Sequence, residues 1–108
     1  MLERDIEKVL VAKVRNLGGR AYKWVSPGND GVPDRIVVFP DRPPMFVELK
    51  AENGKLSTLQ KVQIRRLLDM GQDVRVLRGI REVEQFLEDC ECGLKLRRFE
   101  KEAEADGD

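Results

Sequence analysis

Apolar residues recur along this chain with two distinct spacings. Ile6, Leu10, Val14 and Leu17 fall at intervals of four, four and three, which predicts a helix over residues 3–17 with one buried face. Gly18-Gly19 ends it, since glycine accepts the left-handed turn that closes a helix. Branched and aromatic runs then predict strands at 20–25 (RAYKWV), 34–39 (DRIVVF), 45–50 (MFVELK) and 74–77 (VRVL). The turn formers SPGNDGVP, PDRPP and AENGK follow the first three. Ser57 opens a second helix through about Met70, with Gly71 behind it, and a closing helix begins near residue 81 with REVEQFLED. The order helix, strands, helix, strand, helix predicts an α/β fold, a small mixed sheet flanked by helices. LKLRRF (94–99) either extends the last helix or packs on a second subunit. EKEAEADGD (100–108) has no apolar periodicity, so a disordered acidic tail is expected there, with residues 1–99 as a single domain.

The strand 45–50 breaks its own pattern. Strand side chains alternate faces, so Val47 and Leu49 point one way and Phe46, Glu48 and Lys50 the other. An acid and a base thus stand side by side on a strand that otherwise reads as core.

Composition narrows what that pair can do. A chain of 108 residues suits one domain with one modest core. No apolar run approaches the ~20 residues that span a bilayer, and MLERDIEKVL lacks a signal-peptide core. A soluble cytoplasmic protein with no membrane partner is expected. Histidine is absent, and Cys90 and Cys92 are separated by one residue, half of what a zinc site needs. Reduced thiols are the plain reading. Net charge is zero but uneven: residues 1–87 hold 16 Lys/Arg against 12 Asp/Glu, and residues 88–108 hold 4 against 8. A mildly basic body suits a polyanionic partner without establishing one.

Strands 34–39 and 45–50, joined by a short Pro-rich turn, should form an antiparallel hairpin. Centring it near Asp41-Arg42 sets Asp34 opposite positions 48–50, with Cβ atoms ~4.5–5.5 Å apart. Two carboxylates that close repel each other unless a divalent cation lies between them, and Mg²⁺ takes oxygen ligands at ~2.0–2.1 Å. Lys50 would then stand beside the metal, able to orient an attacking water and stabilise charge on a phosphate. A metal-activated water needs no histidine base. Ordinary edge acids paired with Arg35 or Lys50 would give the same letters.

Pro33-Asp34, followed by Glu48-Leu49-Lys50, resembles the PD-(D/E)xK nuclease signature. The stretch YKWVSPGNDGVPDR … FVELKAENGKLSTLQ is similar to the VRR-NUC branch of that superfamily, in its compact stand-alone phage and bacterial form. The G-V-P-D, E-L-K and L-S-x-x-Q blocks are the specific part, and the likeness covers roughly residues 3–87. It implies a restriction-endonuclease-like core: a helix, a three-stranded meander, a helix crossing the sheet and a further strand. It implies Mg²⁺ or Mn²⁺ held by Asp34, Glu48 and the Leu49 carbonyl, with no small-molecule cofactor, and Lys50 as catalytic lysine. A glutamate of the first helix usually joins such a site. Glu7, eleven residues before Gly18, is favoured, with Glu3 one turn earlier as the rival. Gln60 matches a glutamine near the metal. Compact members are homodimers acting on four-way junctions, so branched DNA as substrate, a homodimer and a bacterial or phage-infected cell are the implied setting.

Several residues keep two readings. Ser57-Thr58-Leu59-Gln60 is also a capping box, which would engage the Gln60 side chain in the helix start. Glu3 and Glu7 could simply favour the helix N-terminus. Lys61 and Arg65, one turn apart, either touch DNA phosphates or form a solvated face. Trp24 and Tyr22 either meet DNA or, for Trp24 especially, join the core, while Lys23 points to the other side of its strand and could face substrate. The glycines of SPGNDG are read as supplying unusual backbone angles ahead of Pro33. Beside the nuclease stand a non-catalytic nucleic-acid-binding module and a small interaction protein. The combination of Asp34, Glu48 and Lys50 argues against both, since a binder gains nothing from acids where phosphate must approach.

Overall fold

The computed structural model describes residues 1–106, with side chains through residue 96. Helix α1 (Glu3–Asn16) carries Ile6, Leu10 and Val14 on its buried face, with Glu3 and Asp5 in its first turn and Lys13 and Arg15 in its last. Those charges oppose the partial charges of the helix ends. It closes in a Schellman turn: Gly18 N–H donates to the Arg15 carbonyl and Gly19 N–H to that of Val14, with Gly18 at φ 90°.

Strands β1 (Arg20–Lys23), β2 (Arg35–Val38) and β3 (Met45–Lys50) form an antiparallel meander. Helix α2 (Thr58–Asp69) then crosses over and delivers β4 (Asp73–Arg78) parallel to β3, giving the sheet order β1-β2-β3-β4. Helix α3 (Gly79–Asp106) closes the fold. Its backbone takes in residues 94–99, so LKLRRF does extend the last helix. The helix also runs past residue 99, where the acidic tail was expected to begin. The side chains of that segment, and residues 107–108 altogether, lie outside the described residues.

Alternation sorts the sheet into two faces. Ala21, Val37, Met45, Val47, Leu49 and Leu77 meet Ile6, Leu10 and Val14 of α1 and Val83, Phe86 and Leu87 of α3 in one buried cluster. The opposite face carries Tyr22, Ile36, Phe46, Glu48, Lys50 and Arg78. It is only partly covered by α2, a helix with no buried residue. Trp24 stacks at a tilt on Phe46 with ring centroids 5.3 Å apart, a packing role within the fold. Cys90 is buried in the core and Cys92 exposed, both as free thiols. Among the described residues no helix is long and apolar enough to cross a membrane.

Candidate active site

The β2–β3 register pairs Arg35 with Val47, Ile36 with Phe46 and Val37 with Met45. One step further along, Asp34 falls beside Glu48, as the hairpin reasoning required. The Asp34 Oδ2 accepts a hydrogen bond from the Leu49 backbone N–H at 2.9 Å, which fixes the carboxylate at the end of β2. Two glycines shape the loop ahead of it, Gly28 at φ 81° and Gly31 at φ 92°. At Gly31 a Cβ would lie 2.6 Å from the Leu59 carbonyl carbon, so the loop rests directly on the first turn of α2.

Glu48 is 1% exposed. Its Oε2 accepts from the Gln60 side-chain amide at 3.2 Å and lies 3.9 Å from the Lys50 ammonium. Its Oε1 is buried without a hydrogen-bond partner. Burial first, and then the Asp34 carboxylate beside it, push the Glu48 carboxyl up to about 8. Lys50 opposes that rise and Glu3 adds to it. Burial and the Asp34 charge both disfavour the charged form of this carboxyl.

Gln60 forms the capping box and, with the same side chain, also touches Glu48. Its Oε1 accepts from the Ser57 N–H at 2.8 Å, its own N–H donates to the Ser57 Oγ at 3.1 Å, and its amide nitrogen reaches Glu48. The capping box and the acid contact use opposite ends of one amide.

The first-helix acid differs from the expected one. One carboxylate oxygen each from Glu3, Asp34 and Glu48 lie within 4.8 Å of one another. Glu7, the residue favoured from sequence, instead forms an ion pair with Arg35, whose Nη2 and Nε reach its Oε1 at 2.6 and 2.8 Å. The cause is strand alternation. Asp34 turns toward the Glu48 face, so Arg35 turns toward α1, where its guanidinium takes Glu7 and the Ala21 carbonyl. Glu3, one turn nearer the helix start, is left to reach the acids. The cation following Asp34 was the signal in the sequence that could have separated the two.

The basic residues scatter. Lys23 lies on the α1 side with Arg4, Lys8, Arg15 and Arg35 around an open groove, away from the face of Glu48. Arg65 is paired with Asp69 at 3.3 Å on an exposed helix face. Lys61 lines a cleft with Lys55 and Arg78, two residues not singled out from sequence.

Known proteins share this fold. Residues 4–81 match the profile of the VRR-NUC domain. The chain is 49% identical over 75 residues to the protein named "Putative nuclease p44" of Acyrthosiphon pisum secondary endosymbiont phage 1, covering 69% of this chain and 81% of that one. A solved VRR_NUC domain superposes with a TM-score of 0.75 at 30% identity, over 80% of this chain and 94% of the other. A second structure, a VRR_NUC domain protein, shares the fold at a TM-score of 0.66 and 17% identity, over 82% and 86% of the two chains. The matched stretch contains Asp34, Glu48 and Lys50 and most of the elements that position them, and with it this chain belongs to the VRR-NUC family of nuclease domains.

Proposed function

We propose that the chain is a Mg²⁺- or Mn²⁺-dependent DNA endonuclease of the PD-(D/E)xK type that cuts branched DNA, four-way junctions in particular, as a homodimer in a bacterial or phage-infected cell. One observation carries the metal-dependent reading. Glu48 Oε1 is a buried oxygen with no partner, in a group of three convergent carboxylates. Such an orphan is costly unless something meets it, and an all-oxygen donor set fits a hard divalent cation. Glu3, Asp34 and Glu48 would hold the ion. Glu7 is replaced in this role by Glu3, because Arg35 occupies it. The Leu49 carbonyl would join them, since in an antiparallel strand it leaves the same edge as the N–H that binds Asp34.

A bound cation there would supply a Lewis acid that acidifies a coordinated water and draws charge from a phosphate. The protein's own groups do the rest. The Leu49 N–H orients Asp34, and Gln60 orients Glu48. Lys50, with its side chain 15% exposed, stands next to the acids, where an ammonium can position a nucleophile and stabilise developing negative charge. A single site cuts one strand, so symmetric cutting of a junction needs two copies related by a two-fold axis. The exposed apolar residues Leu59 and Val62 of α2 and Met70 just after it, together with Tyr22 and Val38 on the open sheet face, support self-association.

The test uses labelled four-way junction, flap and linear duplex with Mg²⁺, Mn²⁺ or EDTA. Paired nicks in the junction are expected with either metal and none in EDTA. Asp34→Asn and Lys50→Ala are each expected to slow cutting by about 10²-fold or more, with circular dichroism and junction affinity kept. Junction binding without cutting would favour the non-catalytic module, and full activity in Lys50→Ala would remove that residue from the chemistry.

A further inference from the structure

The sheet order places β2 with Asp34 on one side of Glu48 and Lys50, and β4 on the other. Arg78 of β4 is the register partner of Lys50, on the same face. Neighbouring strands lie ~4.8 Å apart. Beyond Lys50 opens a cleft of about 430 Å³ whose charged lining is Lys55, Lys61, Arg78 and Glu52. The loop after β3 is fastened over it. The Gly54 carbonyl accepts from Arg78 Nε at 3.0 Å, and a Cβ on Gly54 would stand 3.1 Å from Lys50 Cβ. This fold-back puts Lys55 into the lining of the same cleft as Lys61 of α2. Three cations thus face one carboxylate, and none of the three forms an ion pair among the described residues. Across the sheet the charge changes from a group of acids to a group of bases, with Lys50 at the junction.

We propose that this cleft binds a DNA backbone phosphate adjacent to the one being cut, with Lys55, Lys61 and Arg78 as its contacts, and so sets the register of the strand across the acids. The inference rests on the nuclease reading. A phosphodiester is the ligand class because the cleft offers several positive donors and no aromatic surface for a base. Contacts of this kind position the duplex without reading its sequence. Lys55 and Lys61 are positioning residues, and Arg78 shares that task with holding the loop.

The test is fluorescence anisotropy of the full-length protein on a labelled junction in EDTA, over a range of salt. Lys55→Gln combined with Lys61→Gln is expected to weaken binding about tenfold for any sequence and to lower the slope of log affinity against log salt by about 1 to 2. Both side chains are exposed, so the fold should persist, which circular dichroism checks. A single methylphosphonate at the phosphate next to the cut should weaken the wild type equally, and the double variant no further. A wild-type salt slope in the variant, or an equal methylphosphonate penalty in both proteins, would overturn the subsite. Absence of cutting by the wild type in Mg²⁺ and Mn²⁺ would instead remove the nuclease reading, while this binding measurement would still report on the cleft.

Discussion

Glu48 is a carboxylate in an unfavourable electrostatic setting. It is buried, faces Asp34 and Glu3, and is only partly relieved by Lys50 at 3.9 Å. Its folded value of about 8 lies above the ordinary 4.5. The stability that this group contributes is therefore complete below about pH 4.5 and is lost as pH rises through about 8. In EDTA, the wild-type melting temperature should fall across that window, and the Glu48→Gln protein should show a flatter profile. Mg²⁺ should restore more stability at pH 9 than at pH 6, because at the lower pH it must displace a proton. Parallel profiles for the two proteins from pH 5 to 9 would contradict the assignment. The two glutamates of α1 invite a paired comparison. Glu3→Gln should cut at least about tenfold more slowly with an unchanged unfolding midpoint. Glu7→Gln should retain cutting but lose about 1–3 kcal/mol, since Arg35 is left without its partner in a partly buried site. Urea titration and a junction assay on both proteins decide the matter, and the reverse result would return the ligand role to Glu7.

At the scale of elements, the loop before β2 is held by contact with a helix rather than by its own turns. Gly31 combines φ 92° with α2 backbone atoms where a Cβ would go, while Gly28, at φ 81°, has open space around it. Gly31→Ala is therefore expected to cost about 2–3 kcal/mol and Gly28→Ala about 1 kcal/mol, read from denaturation midpoints. Equal costs would mean that the loop does not rest on α2. These elements also show what the letters carried. The β2–β3 register was legible because a short Pro-rich turn leaves few ways to pair two strands, and it brought Asp34 to Glu48 correctly. The order of elements and the family likeness predicted a mixed sheet with a further strand, but not that β4 joins β3, since a crossover helix leaves no local mark of which strand its successor pairs with. That Glu3 rather than Glu7 comes near Asp34 and Glu48 was hard to read because both lie on one helical face, and the sign that separates them, Arg35 after Asp34, is far away in sequence. The dual use of Gln60 was hidden because a capping pattern says nothing about where the other end of the amide points. Strand β1 ends at Lys23, two residues before its expected end. Past that point the Trp24 N–H donates to the Asp34 carbonyl, just before β2.

For the whole molecule, the two sheet faces have unequal cover. α1 and α3 seal one, while α2 leaves Tyr22 and Val38 open on the other and shows Leu59, Val62 and Met70 to solvent. If these surfaces join two copies, sedimentation or light scattering should give about twice the chain mass at micromolar concentration, and Val62→Glu should halve it. Symmetric junction nicking should then give way to single nicks. A wild-type monomer under the same conditions would remove the homodimer. The shared amide of Gln60 has a consequence for heat. The first turn of α2 cannot fray without releasing Glu48, so the helix start and the acid loosen as one event. Turnover should fade at the temperature where that turn melts, ahead of global unfolding. Gln60→Glu, assayed above about pH 8 where Glu48 has no proton to share, would separate the two events, because a glutamate can still accept from Ser57 yet has no hydrogen to offer the acid.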